Sequence, residues 1–206
     1  MISWGMAQKV ADASPLIPAK PTLPALRAAA ADCRACPLWK TGTQTVFGEG
    51  SPEARVVMVG EQPGNDEDLA GKPFVGPAGK LLDKALQEAG IDRRQVYVTN
   101  AVKHFKWEPQ GKRRIHKKPN GREIAACRPW LNAELAAQAL LGKDFRVSQQ
   151  HGALVPSPLA PNVMATVHPS SILRAPDEES RHAEMKSFVA DLKKVAKIIG
   201  SFRQRQ

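Results

Sequence analysis

The segment KRRIHKK, residues 112–118, places one histidine, His116, among five Lys and Arg residues. Positive charges close to an imidazole disfavour its protonated form. We therefore expect His116 to be largely neutral at physiological pH, with a lone pair available on its ring. A neutral imidazole beside a polyanion can serve as a general base or as a nucleophile, and this segment alone leaves both roles open.

The surroundings of this histidine are strongly basic and contain aromatic rings. Residues 103–118 include seven Lys or Arg residues and one acid, within a chain of formal net charge +10. Phe105 and Trp107 lie in the same stretch. Cations that meet phosphates and rings that stack on bases are typical of a nucleic-acid groove. The alternative is a solvated basic loop, although Pro109 and Gly111 favour a shaped loop over a helix face.

Three cysteines form a second group with chemical potential. Cys33 and Cys36 are spaced as C-R-A-C, and Cys127 lies far downstream. In a cytoplasmic protein a C-x-x-C pair indicates metal or redox chemistry more often than a structural disulfide. An iron–sulfur cluster needs further ligands, for which Cys127 and His104 are the candidates. On spacing alone, a small buried and unreactive Cys127 is an equally good interpretation.

Three apolar runs, each followed by polar residues, indicate the elements that position these side chains. The runs have the near-continuous apolar pattern of buried parallel strands. They are residues 55–60, 95–100 and 162–168. Helices are predicted at residues 77–89, 121–141 and 178–199. Strands that alternate with helices predict an open parallel sheet, whose functional sites lie beyond the carboxyl ends of the strands.

The length of 206 residues fits one domain. We expect a flexible leader at residues 1–25, a single domain at 26–200 and a basic tail at 201–206. The 42% hydrophobic content supports a packed core. No apolar run is long enough to span a bilayer, and the N-terminus lacks the continuous apolar block of a signal peptide. These features predict a cytoplasmic protein that does not act at a membrane.

Five segments together resemble a known family. They are GEQPGNDEDLAGKPFVGPAGKLLDKAL, VYVTNAVKHFK, GKRRIHK, ACRPWL and ATVHPSSILR. In this order they resemble the iron–sulfur uracil-DNA glycosylases, and GEQPG with the KRRIH loop resembles the UdgX-type branch in particular. The resemblance implies a three-layer α/β/α fold with a central, mostly parallel sheet. It also implies a monomer that excises uracil from DNA, with single-stranded DNA as the preferred form.

The resemblance implies a cofactor as well. It is a [4Fe-4S] cluster held by Cys33, Cys36, Cys127 and His104. His104 stands where ordinary iron–sulfur members carry a cysteine, and imidazole replaces thiolate in other clusters. The role of such a cluster would be structural, because hydrolysis of a glycosidic bond transfers no electrons.

The same resemblance assigns the residues that recognise uracil. A base in a duplex must be flipped out, or be presented on a single strand, before an enzyme can reach it. The Asn100 amide matches the family residue that donates to uracil O4 and accepts from N3–H, and cytosine reverses both demands. Phe74 matches the ring that stacks on uracil, while Gln62 and the Gly64 backbone would line the pocket. Taken singly, Asn100 would be a turn cap and Phe74 a core residue.

Three residues match the catalytic positions of the family. His168 would donate a hydrogen bond to uracil O2, where negative charge develops; taken alone, it would be an ordinary histidine at a strand end. Glu61 would face the sugar, either to orient water or to stabilise the sugar cation. In the UdgX-type branch the histidine of KRRIH, here His116, attacks C1′ itself and forms a covalent link to the abasic site. Glu61 would accept the proton that this attack releases.

The resemblance and the local charge also indicate contacts with DNA phosphates. The expected residues are Lys112, Arg113, Arg114, Lys117, Ser170, Ser171 and Arg174. A run of acids at residues 66–68 suggests either a metal site or a solvated loop, and we expect the loop.

The sequence departs from the family pattern at one place. After the helix that follows ACRPWL, family members carry a valine-rich strand and a turn, and this chain lacks both. The strand would lie in the middle of the sheet, and its loss costs about 1 kcal/mol or more for each ladder group left unpaired. Residues 145–148 are a candidate replacement. Otherwise the sheet closes imperfectly, or the chain is a damaged copy.

Three other functions stay open. An ordinary turnover glycosylase would release free abasic DNA. A degenerate protein would bind uracil-containing DNA and leave the glycosidic bond intact. A general iron–sulfur protein that binds nucleic acid would show no preference for uracil.

Overall fold

The computed structural model describes residues 12–135, 151–155 and 162–203. Its helices are α1 (Leu23–Ala30), α2 (Asn65–Ala70), α3 (Pro77–Glu88), α4 (Gly121–Leu135), α5 (Pro169–Leu173) and α6 (Glu178–Arg203). Its strands are β1 (Val56–Gly60), β2 (Val96–Asn100), β3 (Trp107–Gln110), β4 (Arg113–His116), β5 (Leu154–Val155) and β6 (Val163–Met164). Short 3-10 helices occupy Ser14–Leu16, Pro37–Lys40 and Arg93–Gln95. This order of elements belongs to the α/β class that the sequence predicts.

The centre of the fold is the parallel pair formed by β1 and β2. Both strands are valine-rich runs, and they pair in register from Val56 with Val96 to Gly60 with Asn100. Parallel pairing brings the two carboxyl ends to the same edge of the sheet. Every residue of β2 is buried, as in a strand that is covered on both faces.

The two faces of β2 meet different layers of helices. Val96 and Val98 pack with apolar side chains of α3, α5 and α6. The opposite face presents Tyr97 and Thr99, whose hydroxyls donate to Glu134 on α4. Helix α1 packs against α4 in a second core on this side. The alternation follows the two-residue period of a strand, and it confirms the predicted layered α/β fold.

The helix boundaries largely follow signals in the sequence. Helix α3 starts at Pro77, where a missing N–H breaks no helical hydrogen bond. It is followed by Gly90 at φ +75°, the left-handed conformation that commonly ends a helix. Helix α4 starts at Gly121 as predicted, and residues 136–141 of the predicted helix lie outside the described residues.

The predicted strand at residues 162–168 is only partly formed. Strand structure is limited to Val163–Met164, which pairs antiparallel with Leu154–Val155. Within the described ranges, no strand pairs with the second edge of β1, the edge that the missing family strand would occupy. Val59 on β1 is accordingly 38% exposed. Without a neighbouring strand to join, β6 pairs locally with β5; the candidate replacement at 145–148 lies outside the described residues.

The basic segment around His116 forms a β-hairpin. Strand β3 pairs with β4 from Trp107 opposite His116 to Gln110 opposite Arg113. Gly111 is the first residue of the two-residue turn and has φ +56°, a conformation that this type of turn requires there. The sequence predicts a shaped loop, and the structure shows that the shape is a hairpin.

The segment that precedes α1 contacts the rest of the fold. The Ala13 side chain is fully buried, and its backbone N–H donates to the Ala126 carbonyl at 3.0 Å. Residues 1–11 lie outside the described residues, so the expected division into leader, domain and tail stays a prediction. Among the helices of the described ranges, none combines the length and the apolar character needed to cross a membrane.

Candidate active site

The carboxyl ends of β1 and β2 bring Asn100 beside Gly60. Asn100 is 3% exposed. Among the described residues, no group hydrogen-bonds to its side-chain amide. A β-carbon on Gly60 would overlap the Asn100 side-chain oxygen, so the glycine leaves the room that the amide occupies. A buried amide whose donors and acceptor have no partner in the described part of the chain is suited to read the polar edge of a ligand.

Phe74 also lies against Gly60. Its Cζ would be 3.1 Å from a β-carbon on Gly60, and its ring centroid is 6.0 Å from that of His168. Phe74 has φ +56°, which is uncommon for a residue with a side chain. Gly79 of α3 packs against the Phe74 backbone where no β-carbon would fit, and this packing holds the strained conformation. Asn100 and Phe74 therefore meet at Gly60, and His168 lies beside the Phe74 ring.

The hydrogen bonds of His168 decide which ring nitrogen carries the proton. His168 caps α5, and its Nδ1 accepts the backbone N–H of Ser170 at 3.1 Å. The Ser170 hydroxyl lies 2.8 Å from the same nitrogen. An accepting Nδ1 leaves the proton of the neutral ring on Nε2. The side chain therefore presents Nε2–H as a hydrogen-bond donor.

The charges around His168 also favour its neutral form. Partial burial lowers the pKa of His168, and the positive charge of Arg174 lowers it further, as does His116 when it is protonated. The carboxylate of Glu67 acts in the opposite direction. A neutral His168 with its proton on Nε2 is consistent with the donor role that the sequence predicts.

His116 ends strand β4 and lies near these residues. Its ring centroid is 6.1 Å from that of Phe105, and its charge is close enough to affect the pKa of His168. His116 is exposed. Within the described part of the chain, no group hydrogen-bonds to either nitrogen of its ring. His116 is thus within electrostatic range of His168, and its role as the nucleophile stays a prediction.

Gln62 fixes the base of the hairpin that carries His116. Its Nε2 donates to the carbonyls of Lys106 at 3.2 Å and Lys117 at 2.9 Å, and its Oε1 accepts the Lys106 N–H at 3.1 Å. Gln62 was predicted to line the uracil pocket. Its amide is instead bonded to the backbone of the hairpin on both sides, because the hairpin folds over the end of β1. Gln62 is therefore a positioning residue in this structure.

Arg114, which was predicted to contact DNA, is bound within the protein. Its Nη1 donates to Asp68 at 2.6 Å and its Nε to Asn65 at 2.9 Å. The guanidinium also lies 5.4 Å from the ring centroids of Phe105 and Trp107. Asp68 is fully buried. The expectation of a solvated acidic loop is wrong for this residue, because its carboxylate is paired with Arg114 of the hairpin.

Glu67 is a positioning residue that the sequence analysis missed. Its Oε2 accepts the Gly64 N–H at 3.0 Å, and its Oε1 accepts the Gly76 N–H at 2.8 Å. One carboxylate therefore joins the loop after β1 to the loop that carries Phe74. The signal in the sequence is an acid at the third position of a helix after a glycine cap. The Gly64 N–H, predicted to line the pocket, is used in this bond.

Glu61 follows β1 directly and is half-buried. Its backbone carbonyl accepts the Val102 N–H at 3.0 Å. This bond fixes the backbone beside the end of β2. The contact of the Glu61 carboxylate with a sugar stays a prediction.

The other residues expected to contact DNA fall into two groups. Exposed cations form the first: Lys112, Arg113, Lys117 and Arg174. Of these, Lys117 pairs with Glu108 at 2.7 Å, a surface ion pair of small energy. The two serines of α5 form the second group, and both bond to His168, since the Ser171 hydroxyl donates to its carbonyl at 2.8 Å. Contact of either group with DNA stays a prediction.

The three cysteines lie near one another as free thiols. Burial raises the pKa of Cys127 to about 12, and the charges of Cys36 and Cys33 add to this effect. Burial also raises the pKa of Cys36, with a further contribution from Cys33. Backbone and indole N–H groups point at two of the sulfurs: Lys103 N–H lies 3.3 Å from Cys127 Sγ, and Trp130 Nε1 lies 3.2 Å from Cys33 Sγ.

This donor set fits a cluster better than a single ion. In the described ranges, no three His, Cys, Asp or Glu side chains converge on one metal-ion position. In a cluster each ligand binds a different iron, so the sulfurs need not converge, and N–H groups that donate to sulfur are the usual surroundings.

His104, the predicted fourth ligand, is compatible with the same group. It is 5% exposed, and burial lowers its pKa, so the ring is neutral. Its Nε2 lies 3.0 Å from Thr45 Oγ1, and this hydroxyl donates to the Ala30 carbonyl at 2.9 Å. Nε2 must then be the donor, which leaves the lone pair on Nδ1 available for a ligand.

A buried ion pair connects the cysteine group to Asn100. The side chains of Lys103 and Glu134 are both 0% exposed. Lys103 Nζ donates to Glu134 and to the Asn100 carbonyl, while the Lys103 backbone bonds to Cys127. Tyr97 donates to the same carboxylate at 2.7 Å, and burial followed by the Glu134 charge raises the pKa of Tyr97 far above its ordinary value. Lys103 therefore ties the end of β2 to the helix of Cys127.

Comparison with known proteins identifies a family and individual relatives of this chain. It matches the uracil DNA glycosylase superfamily over residues 47–193. It is 38% identical over 164 residues to the type-4 uracil-DNA glycosylase of Thermotoga maritima, a match that covers 72% of this chain and 82% of that protein.

Two further relatives, one matched over a shorter segment and one at lower identity, are also uracil-DNA glycosylases by name. The type-4 uracil-DNA glycosylase of Sulfurisphaera tokodaii is 44% identical over 104 residues, which cover 50% of this chain and 44% of that protein. The type-5 uracil-DNA glycosylase of Thermus thermophilus is 31% identical over 167 residues, which cover 65% of this chain and 71% of that protein. The superfamily match includes every candidate site residue except Cys33 and Cys36.

Proposed function

We propose that this chain, which belongs to the uracil-DNA glycosylase superfamily, excises uracil from DNA by cleaving the N-glycosidic bond. The observation that carries the proposal is that Asn100 and Phe74 meet at Gly60 and that His168 lies beside the Phe74 ring. These three side chains supply an amide, a ring face and an N–H donor. A uracil ring can engage all three at once.

Asn100 is the residue that tells uracil from cytosine. Its N–H group donates to uracil O4, and its oxygen accepts from N3–H. Cytosine presents a donor at position 4 and an acceptor at N3, so both contacts would turn repulsive. The Phe74 ring stacks on the base after it has left the helix stack or while it stands on a single strand.

His168 supports departure of the base. As the C1′–N1 bond breaks, its electron pair leaves with uracil, and negative charge develops on O2. The Nε2–H of His168 donates to that oxygen, because Ser170 occupies Nδ1. Donors aimed at a developing charge are typically the largest contribution to catalysis. The lowered pKa keeps the ring in its neutral donor form at physiological pH.

His116 captures the sugar after the base has left, which is the course of the UdgX-type branch. One ring nitrogen of neutral His116 forms a bond to the electron-deficient C1′, and the ring becomes cationic. The proton on its other nitrogen then passes to Glu61, and an N-alkylated imidazole remains on the DNA. The unengaged ring nitrogens and the nearness of His116 to His168 support this step. One molecule of protein would thus act once.

Cys33, Cys36, Cys127 and His104 would hold a [4Fe-4S] cluster. When bound, it would supply cross-links between the N-terminal segment, the end of β2 and α4, and would take no part in bond cleavage. Single-stranded DNA is the proposed substrate, with the exposed cations of the hairpin on its phosphates. The protein is proposed to act as a monomer.

A denaturing gel tests the proposal directly. Labelled single-stranded DNA with one uracil is incubated with the protein, heated in detergent and separated, and released uracil is measured in parallel. We expect uracil release together with a slow band of protein–DNA size. His116→Ala should lack this band, and a variant that still forms it would refute the covalent assignment. DNA that keeps its uracil would refute the glycosylase assignment itself.

A conventional turnover glycosylase is the second candidate. The similarity to type-4 uracil-DNA glycosylases over 82% of the Thermotoga protein favours it. In that case uracil release would exceed the amount of protein, and free abasic DNA would accumulate without the slow band. Comparing moles of uracil released with moles of protein separates the two candidates.

A further inference from the structure

Trp39 is an exposed aromatic side chain with two cations over its ring. It lies on the 3-10 helix Pro37–Lys40 and is 36% exposed. The Arg34 guanidinium is 4.7 Å from its ring centroid, and the Lys40 ammonium is 5.8 Å away. Arg34 and Lys40 are both exposed, and no acid of the described residues forms an ion pair with either. Nothing in the proposed reaction uses these three residues.

This group lies beside the hairpin that carries His116. The Trp107 Nε1–H donates to the Thr41 carbonyl at 2.7 Å, and the Thr41 hydroxyl donates to the Phe105 carbonyl at 3.3 Å. Thr41 is two residues beyond Trp39 along the chain. The backbone after Trp39 is therefore bonded directly to the start of the hairpin. Lys40 directly precedes Thr41 and Arg34 contacts Trp39, so these two cations lie on the segment that is bonded to the hairpin.

We propose that Trp39, flanked by Arg34 and Lys40, is a stacking subsite for an unpaired nucleotide of the DNA strand beside the uracil. This inference rests on the proposed function, because it extends the path of the same substrate. A base stacks on the indole, and the two cations meet the neighbouring phosphates. Sequence-tolerant binding of single strands uses this combination of rings and cations, since every base has a flat face.

The positive charge of this surface favours nucleic acid as its ligand. Unpaired cations beside an exposed ring attract a polyanion, and the nearby hairpin adds Lys112 and Arg113 as further exposed cations. A single strand offers unstacked bases to the indole, whereas a duplex does not. The subsite therefore favours single-stranded over double-stranded DNA, and it does so without reading the base sequence.

Binding of labelled oligonucleotides tests the subsite. Each carries 2′-fluoro-deoxyuridine, which resists cleavage and fixes the register, and the strand is lengthened separately on its 5′ and 3′ sides. Affinity should rise with length on one side, and Trp39→Ala should remove that gain, about fivefold or more. Trp39→Phe should keep most of it. Leu154→Ala, a change at another exposed apolar residue, should behave as wild type.

Three results would overturn the subsite. Trp39→Ala that matches wild type at every length would exclude stacking. An equal loss on the shortest oligonucleotide would assign Trp39 to the fold or to the active site. An equal loss on duplex DNA would assign the contact to phosphates alone. Uracil release from a short substrate is measured with each variant, so failure of the glycosylase itself is seen independently.

Discussion

Gly60 and Asn100 end two parallel strands in register, and a β-carbon on Gly60 would overlap the side-chain oxygen of Asn100. The position of the amide that we assign to uracil recognition therefore depends on a missing side chain in the neighbouring strand. The same glycine admits the Phe74 ring. One backbone position thus controls two contacts with the base.

Gly60→Ala should impair uracil excision with a modest effect on the fold. The new methyl group displaces the Asn100 amide, and misplacement of this size lowers the single-turnover rate of uracil release by about tenfold to a hundredfold. Overpacking should lower the free energy of unfolding by about 1–3 kcal/mol. Gly121→Ala is the matched control, because no atom lies within 4 Å of the added carbon there. A folded Gly60→Ala protein that releases uracil at the wild-type single-turnover rate would contradict this geometry.

Gln62→Ala should separate the two chemical steps. Gln62 holds the base of the hairpin, whereas Asn100 and His168 are positioned by other elements. We expect the rate of covalent product formation to fall by about tenfold or more, and the rate of uracil release to fall less. Both rates are measured in single-turnover experiments. Gln87→Ala, at an exposed position of α3, is the control; an equal fall in both rates for Gln62→Ala would argue against a positioning role.

The His168 ring should titrate below the ordinary histidine value of 6.5. Its folded pKa is depressed, so the unfolded chain binds the proton more readily, and stability from this group is lost as the pH falls from 6.5 through the folded value. Uracil excision that needs the neutral ring should accordingly persist below pH 6.5. The titration is followed by NMR of the ring protons, with His168→Gln used to assign the signal.

Neighbouring charges should move this titration in opposite directions. Arg174→Ala removes a positive charge and should raise the pKa of His168. Glu67→Gln removes a negative charge and should lower it further. A midpoint at or above 6.5 in the wild type, or shifts of the reversed sign in these variants, would contradict the proposed surroundings of the ring.

Lys103 and Glu134 form a buried ion pair, so the effects of substituting them on the free energy of unfolding should not be additive. Lys103→Met leaves the Glu134 carboxylate without its partner and should lower the free energy of unfolding by about 3–5 kcal/mol. Adding Glu134→Gln removes the buried charge and keeps an acceptor for Tyr97, so the double variant should recover part of the loss. Urea unfolding measures the three proteins and the wild type. Strict additivity of the two substitutions would show that the pair is not coupled.

The elements that support the site were largely predictable from the sequence. Continuous apolar runs identify β1 and β2, and the parallel pattern locates their polar ends at one edge. Asn100 follows from this rule together with the family resemblance, whereas His168 follows from the resemblance alone, because β6 pairs antiparallel with β5. Proline and glycine signals mark the ends of α3 because they act through the local backbone. Such features depend on neighbours in sequence, so a single chain displays them.

The contacts of individual polar side chains were not predictable in the same way. Gln62, Arg114 and Asp68 bond to groups far away in sequence, and no local pattern records which partner the fold will bring. The sequence did not predict the hairpin. Its turn residue, Gly111, lies within a segment that was interpreted mainly from its positive charge. The short β6 differs from the predicted strand because a strand needs a partner, and its pairing depends on segment 154–155.

Mass spectrometry of the protein–DNA product most directly tests capture of the sugar by the His116 imidazole of the hairpin. The product is digested with protease and nuclease, and the peptide that contains residues 112–117 is sequenced. We predict an abasic-sugar adduct on His116, stable without borohydride reduction. An adduct on Lys112 or Lys117 that requires reduction, or a peptide without any adduct after complete uracil release, would contradict it.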